Sequence, residues 1–137
     1  MPKLFGLNLL AVLVASVAFF FVGFLWYGVL FTKAWLAAYG ITPDPEAGES
    51  PIWMVGGFVI TIVEAFGIGL VLKWKGAVSL GGAVATAIAL WFCFALPLLM
   101  YNYLYLPGHN ATILMIDASH LLVGWVVSAA VLSLMKV

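Results

Sequence analysis

Long apolar stretches alternate with short polar segments along the whole chain. The apolar stretches cover residues 4–31, 52–72, 77–100 and 111–135. A helix of about 20 apolar residues crosses the hydrocarbon core of a bilayer, which is about 30 Å thick. Each stretch reaches that length, so the pattern predicts four membrane-spanning helices in one transmembrane domain, residues 1–137.

The polar segments indicate how the spans are connected. Residues 42–50 carry two prolines and three acidic side chains, and we expect an outer loop over residues 32–51. Only a few residues around Gly76 separate the second and third stretches, which predicts an antiparallel pair. Gly40 and Asn110 are residue types that end and begin helices, respectively. The predicted fold class is all-α, an integral membrane four-helix bundle.

The composition agrees with a membrane protein and argues against other classes. The 137 residues are 66% hydrophobic and 7% charged, whereas soluble domains carry about 25% charged residues. The net charge is zero and arginine is absent. The zero net charge argues against nucleic acid as a partner, because binding a phosphate backbone needs a basic patch. The lack of arginine argues against a bidentate clamp for a carboxylate or phosphate. Cys93 is the single cysteine, which excludes an intramolecular disulfide and a cysteine-rich metal site. The lipid bilayer is the partner that we expect.

The lysines are distributed unequally between the two predicted sides of the membrane. Lys3, Lys73, Lys75 and Lys136 fall on one side, and Lys33 alone falls on the other. Cytoplasmic loops of membrane proteins are enriched in lysine and arginine. We therefore expect both termini in the cytoplasm and a multi-pass protein of the inner (plasma) membrane.

Aromatic and lysine side chains cluster near the predicted span ends. Tryptophan and tyrosine are enriched where a membrane meets water, because one end of each ring system is polar. We expect these residues to be interfacial anchors: Trp26, Tyr27, Lys33, Trp35, Trp53, Trp74, Tyr101 and Tyr103.

Small residues recur at every fourth position within the predicted spans. Such rows let helix backbones approach closely in a membrane. The sequence leaves open whether they join spans of one chain or of separate chains. The rows include Ala11 and Ala15, Ala65 and Gly69, Gly81, Ala85 and Ala89, and Gly124 and Ser128.

Three ionisable residues, Glu64, Asp117 and His120, lie inside apolar stretches. Such groups are costly in lipid and are compensated by partners in the folded protein. Asp117 and His120 are three residues apart, which places them on one helix face. From the span starts, Glu64 lies about 18 Å deep and His120 about 13 Å deep. The three residues are therefore a candidate intramembrane polar cluster, provided that the second and fourth spans are neighbours.

Two interpretations of this candidate cluster remain open. In the first, the three side chains tie helices together through hydrogen bonds, which contribute about 0.6 kcal/mol each on average in membranes. In the second, they line a hydrated cavity and pass protons or bind a cation. Haem ligation through His120 is a weaker idea, because one intramembrane histidine supplies at most one axial ligand per chain.

Motifs of known enzyme classes are absent from the sequence. It contains no GxxxxGK[ST], HExxH or GxSxG pattern. Ser119 adjoins His120 but points to a different helix face, so it is a poor nucleophile candidate. We predict no catalytic residue, no metal site and no cofactor.

Two stretches resemble one known family. Residues 23–28, GFLWYG, continue through Phe31, Lys33, Ala34 and Trp35, and residues 116–122 read IDASHLL. Both stretches resemble a family of small bacterial membrane proteins catalogued as domain of unknown function 1761. The resemblance extends in layout over essentially the whole chain. It implies a four-span bacterial inner-membrane protein and implies no activity.

Three hypotheses about function follow from these observations. The leading one is a small, non-enzymatic structural or accessory membrane protein that forms a homo-oligomer or joins a larger membrane complex. The alternative is proton- or cation-coupled transport of a small solute by a homo-oligomer that uses Glu64, Asp117 and His120. A lipid-modifying or redox enzyme is the third and least favoured hypothesis.

Overall fold

The computed structural model describes residues 3–40, 51–76, 79–108 and 110–136. Helices form almost all of this part of the chain. Two segments, named π1 and π2 here, are π-helical. The elements are β1 (Lys3–Leu4), β2 (Leu7–Asn8), α1 (Leu9–Gly23), π1 (Phe24–Leu30), α2 (Thr32–Tyr39), α3 (Pro51–Lys75), α4 (Leu80–Leu90), π2 (Trp91–Ala95), α5 (Leu96–Tyr105) and α6 (Ala111–Leu134).

Four helices in the described ranges are long and apolar enough to cross a membrane. They cover Leu9–Leu30, Met54–Lys75, Leu80–Tyr105 and Ala111–Leu134. The predicted all-α, four-span fold is confirmed. The first span contains α1 and π1, and the third contains α4, π2 and α5.

The first span begins at Leu9, whereas the hydropathy pattern starts it at residue 4. The preceding residues form a small antiparallel hairpin instead. Phe5 and Gly6 both have positive φ, 53° and 78°, as a two-residue type I′ turn requires. The Asn8 side chain then accepts hydrogen bonds from two backbone N–H groups and caps α1. Lys73 Nζ at the end of α3 donates to the Gly6 carbonyl at 2.6 Å, which fastens the hairpin to the bundle.

Local chemistry explains where other helices begin and end. Gly40 has the left-handed φ of 69° and ends α2, as its residue type predicts. The Asn110 side chain accepts from Thr112 and Ile113 N–H and begins α6. The third span runs on to Tyr105, five residues beyond its predicted end. Pro97 lies just after π2 and has no N–H to bond the carbonyl four residues earlier. The wider hydrogen-bond pattern of π2 immediately before this proline keeps the span continuous.

Helix α6 is the centre of the bundle, because it packs against each of the other five α-helices. Small residues make these contacts close. Most of the predicted small-residue rows are buried within the chain, and the exception is the row of Gly81, Ala85 and Ala89, which is exposed on α4. The buried ones are Ala11, Ala15, Ala65, Gly69, Gly124 and Ser128.

Phe19 and Gly124 form the tightest of these contacts. Phe19 is 1% exposed and packs its ring over Gly124. A Cβ atom added at position 124 would lie 2.6 Å from Cδ1 of Phe19, which is inside van der Waals contact. The glycine therefore provides the space that the phenylalanine ring occupies between α1 and α6.

We predict that Gly124→Ala destabilises the protein by about 1–3 kcal/mol, the usual cost of overpacking a core. Thermal unfolding in detergent, followed by circular dichroism, measures the change. Gly67→Ala is the matched control, because a Cβ atom there meets nothing within 4 Å. An equal unfolding temperature for Gly124→Ala and Gly67→Ala would contradict the packing of α1 on α6.

Candidate functional site

The candidate site is the stretch of α6 from Asp117 to His120, where π1 packs against it. The Tyr27 hydroxyl donates a hydrogen bond to Asp117 Oδ1 at 2.5 Å. Trp26 Nε1 donates to Ser119 Oγ at 2.9 Å. Because a π turn holds more residues than an α turn, adjacent side chains are separated by a smaller angle. That geometry lets two consecutive residues of π1 reach the same helix.

The end of π1 is held by bonds that fit its π-helical pattern. Phe31 N–H donates to the Trp26 carbonyl, five residues earlier, at 2.9 Å. The Thr32 hydroxyl donates to the Tyr27 carbonyl at 2.7 Å. These bonds satisfy carbonyl groups of the two residues whose side chains bond to α6, so backbone and side chains fix the same turn.

The second π segment reaches the same stretch of α6. Trp91, the first residue of π2, donates from Nε1 to the Ala118 carbonyl at 2.8 Å. The Ser119 hydroxyl in turn donates to the Ile116 carbonyl within α6 at 3.0 Å. Both π segments therefore direct aromatic N–H or O–H donors at one turn of α6. Single-turn π segments occur frequently at functional sites.

His120 ends this stretch, almost one helical turn after Asp117, and its ring contacts π1. Its ring centroid is 4.9 Å from that of Tyr27 in an edge-on arrangement, and 5.6 Å from that of Phe19. Gly23 makes room for it, since a Cβ atom at that position would be 3.2 Å from His120 Nε2. Tyr27 thus contacts Asp117 through its hydroxyl and His120 through its ring.

Glu64 lies on α3 and faces a different part of α6. It is half-buried, and the indole N–H of Trp125 is the polar group directed at its carboxyl. That N–H does not reach full hydrogen-bond geometry, and the buried Ser128 hydroxyl one turn away has no partner within the described ranges. The Phe19 ring contacts both His120 and Gly124, so it lies between His120 and the turn of α6 that carries Trp125. In the described part of the chain, Asp117 and His120 meet Tyr27, whereas Glu64 meets Trp125.

A cavity of about 440 Å³ opens beside Asp117. It lies at the end of the bundle, between α2, α5, the loop that joins the third and fourth spans, and the first two turns of α6. Tyr39 on α2 is part of its wall. Burial, and then the negative charge of Asp117, raise the pKa of Tyr39 above its usual range. The carboxylate of Asp117 therefore acts electrostatically on Tyr39 across the cavity.

The residues predicted as interfacial anchors occupy several environments. Trp26 and Tyr27 bond to α6, and Trp35 packs edge-on against Tyr27 with its indole N–H buried and unpartnered in the described structure. Tyr103 lines the cavity. The Trp53 side chain lies outside the described part of the molecule. The exposed anchors are Lys33, Trp74 and Tyr101.

The sequence did not predict three features of this site. They are the Tyr27–Asp117 bond, Ser119 as the acceptor for Trp26, and Trp91 as the donor to Ala118. The Tyr27–Asp117 pair is separated by 90 positions, so no local pattern indicates it. The usable signal was the Trp-Tyr pair flanked by Gly23 and Gly28, because glycines beside aromatic residues allow close packing. Within the described ranges, no three His, Cys, Asp or Glu residues are grouped as a metal site requires.

A family described as protein of unknown function, DUF1761, matches residues 10–133. The chain belongs to this family. No curated protein and no solved structure matches the chain. The chain resembles DUF1761 proteins in two stretches, residues 23–35 and 116–122. The first extends from the last residue of α1 through π1 into α2, the second lies in α6, and the two are in direct contact. The resemblance therefore coincides with the candidate site.

Proposed function

We propose that this DUF1761 protein is a small, non-enzymatic structural or accessory protein of the inner membrane. The observation that carries the proposal is the set of three hydrogen bonds from Trp26, Tyr27 and Trp91 to one turn of α6. These bonds join the first, third and fourth spans. Asp117 and Ser119 act in them as acceptors that hold the bundle together.

The membrane environment explains why such bonds matter. Hydrocarbon offers no water to an indole or phenol donor, so a donor left without a partner there is costly. Each interhelical bond contributes about 0.6 kcal/mol on average, with a maximum near 1.7 kcal/mol. The effect of the three bonds is to select one arrangement of the spans rather than to add much stability.

The exposed row of Gly81, Ala85 and Ala89 on α4 supports association with a second copy or with a larger membrane complex. Small residues spaced four apart let helices of separate chains approach closely. The other rows are already used within the chain, which leaves this one available for an intermolecular contact.

We predict that Trp26→Phe and Ser119→Ala are coupled by about 0.6–1.7 kcal/mol in a double-mutant cycle, the range for interhelical hydrogen bonds in membranes. Reversible unfolding in mixed micelles gives the four free energies of unfolding. Trp26→Phe combined with Thr61→Ala is the matched control, because the Thr61 hydroxyl donates to the Phe58 carbonyl within α3. That control pair should be additive. Zero coupling between positions 26 and 119 would reject the proposed role.

We also infer that both chain ends face the cytoplasm, because four of the five lysines lie on that side of the threading. A cysteine appended to either end of a Cys93→Ser variant should resist a membrane-impermeant maleimide in intact cells. The same cysteine should react after the cells are lysed. Labelling of either end in intact cells would overturn the orientation.

Proton- or cation-coupled transport of a small solute is a second candidate function. The observation that favours it is the cavity that reaches Asp117, with His120 one turn further along the same helix. Glu64 and Trp125 continue this line of polar groups beyond Phe19. Two or more copies would be needed to complete a pathway, since four spans enclose little space.

For this candidate we predict that a sodium or potassium gradient changes the lumenal pH of proteoliposomes that contain the protein. A trapped pH-sensitive dye reports the change. Glu64→Gln and His120→Ala should abolish the response, because each removes a titratable group, whereas Trp26→Phe should retain it. A wild-type response equal to that of empty liposomes would reject transport and leave the structural role untouched.

A further inference from the structure

The cavity beside Asp117 has the dimensions of a ligand site. Its volume of about 440 Å³ falls within the range of about 300–1,000 Å³ that small-molecule pockets occupy. Tyr39 of α2 and Tyr103 of α5 contribute to its walls, and Asp117 is the acidic group among the described residues that line it. The structural role of Asp117 uses one carboxylate oxygen, Oδ1, as an acceptor for Tyr27.

The negative charge of Asp117 has no fixed positive partner within the described ranges. The described titratable side chains around it are Tyr27, Tyr39 and His120, and none of the described lining residues is a lysine. His109, in the adjoining loop, lies outside the described residues. A carboxylate at the edge of an apolar region favours a cation beside it, because unpaired charge is costly away from water.

The other walls suit an organic cation better than a bare metal ion. Tyrosine rings attract ammonium groups through their π faces, and Tyr39 is 48% exposed at the cavity. The side-chain amide of Asn102 also lines the cavity. It offers one acceptor oxygen. Calcium takes six to eight oxygen ligands, many more than Asp117 and Asn102 supply.

We propose that this cavity binds a small organic ammonium ion, with Asp117 as the counter-ion and the rings of Tyr39 and Tyr103 as flanking walls. The ligand enters from the end of the bundle, where the cavity meets the loop between the third and fourth spans. Binding is separate from the structural role of Trp26 and Ser119, whose bond lies outside the cavity lining.

Isothermal titration calorimetry of the purified full-length protein in nanodiscs, with tetraethylammonium as the probe, tests this proposal. We expect saturable binding that Asp117→Asn weakens at least tenfold. The amide oxygen in this variant still accepts the Tyr27 hydroxyl, so the fold is kept while the charge is removed. Thr61→Ala is the control, because its hydroxyl bonds within α3 and lies outside the cavity lining, and it should leave the affinity unchanged.

A second variant keeps the test decisive if Asp117→Asn does not fold. Tyr39→Leu removes an aromatic wall at an exposed position and should weaken tetraethylammonium binding about three- to tenfold. The neutral probe tert-butanol should show no saturable binding. The proposal is overturned if the wild-type protein does not bind tetraethylammonium, if tert-butanol binds as tightly, or if both cavity variants bind with wild-type affinity. None of these results changes the coupling between positions 26 and 119.

Discussion

The structure depends on the contact between π1 and one turn of α6. In a bilayer, polar side chains have few alternatives to one another, so a donor that lacks an acceptor within the protein is costly. Tyr27 and Trp26 find theirs in Asp117 and Ser119. Once these pairs form, the first and fourth spans have one relative rotation and one relative height. The other contacts of the bundle, including Phe19 on Gly124, are compatible with that arrangement.

The π segments make this contact possible. A π turn separates neighbouring side chains by a smaller angle than an α turn. From π1, both Trp26 and Tyr27 bond to α6. In the third span, Pro97 removes a backbone donor, and π2 is the turn that precedes it. Trp91 at the start of π2 then donates a hydrogen bond to α6. The place where proline removes a backbone hydrogen bond of the third span is therefore close to a hydrogen bond between the third and fourth spans.

Much of the fold follows from the sequence because its causes are local or concern the membrane as a whole. Hydropathy defines four spans, and Gly40 and Asn110 end and begin helices by chemistry that involves only their neighbours. The hairpin at the N-terminus could not be predicted in the same way. Leu4, Phe5 and Leu7 in it are apolar and continue the hydropathy of the first span. Its turn needs a positive φ at Phe5, which is unusual for that residue type.

The candidate site was only partly predictable, for a different reason. Asp117 and His120 are visible because charge within an apolar stretch is rare. Their partner Tyr27 cannot be recognised from the sequence. Tyrosine and tryptophan near a span end are equally suited to the membrane surface and to a buried hydrogen bond. Glu64 is as conspicuous as Asp117 in the sequence, yet it faces Trp125. Depth along a span can be estimated from residue number, but helix rotation cannot.

The π-helical pattern of the first span also determines where α2 lies. If the turn at residues 24–30 returned to α-helical bonding, the residues that follow it would rotate about the helix axis by roughly 100°, the angle of one helical step. Helix α2 would swing with it and carry Tyr39 away from Asp117. One slipped backbone register would thus undo the aromatic bonds to α6 and open the wall of the cavity in a single movement.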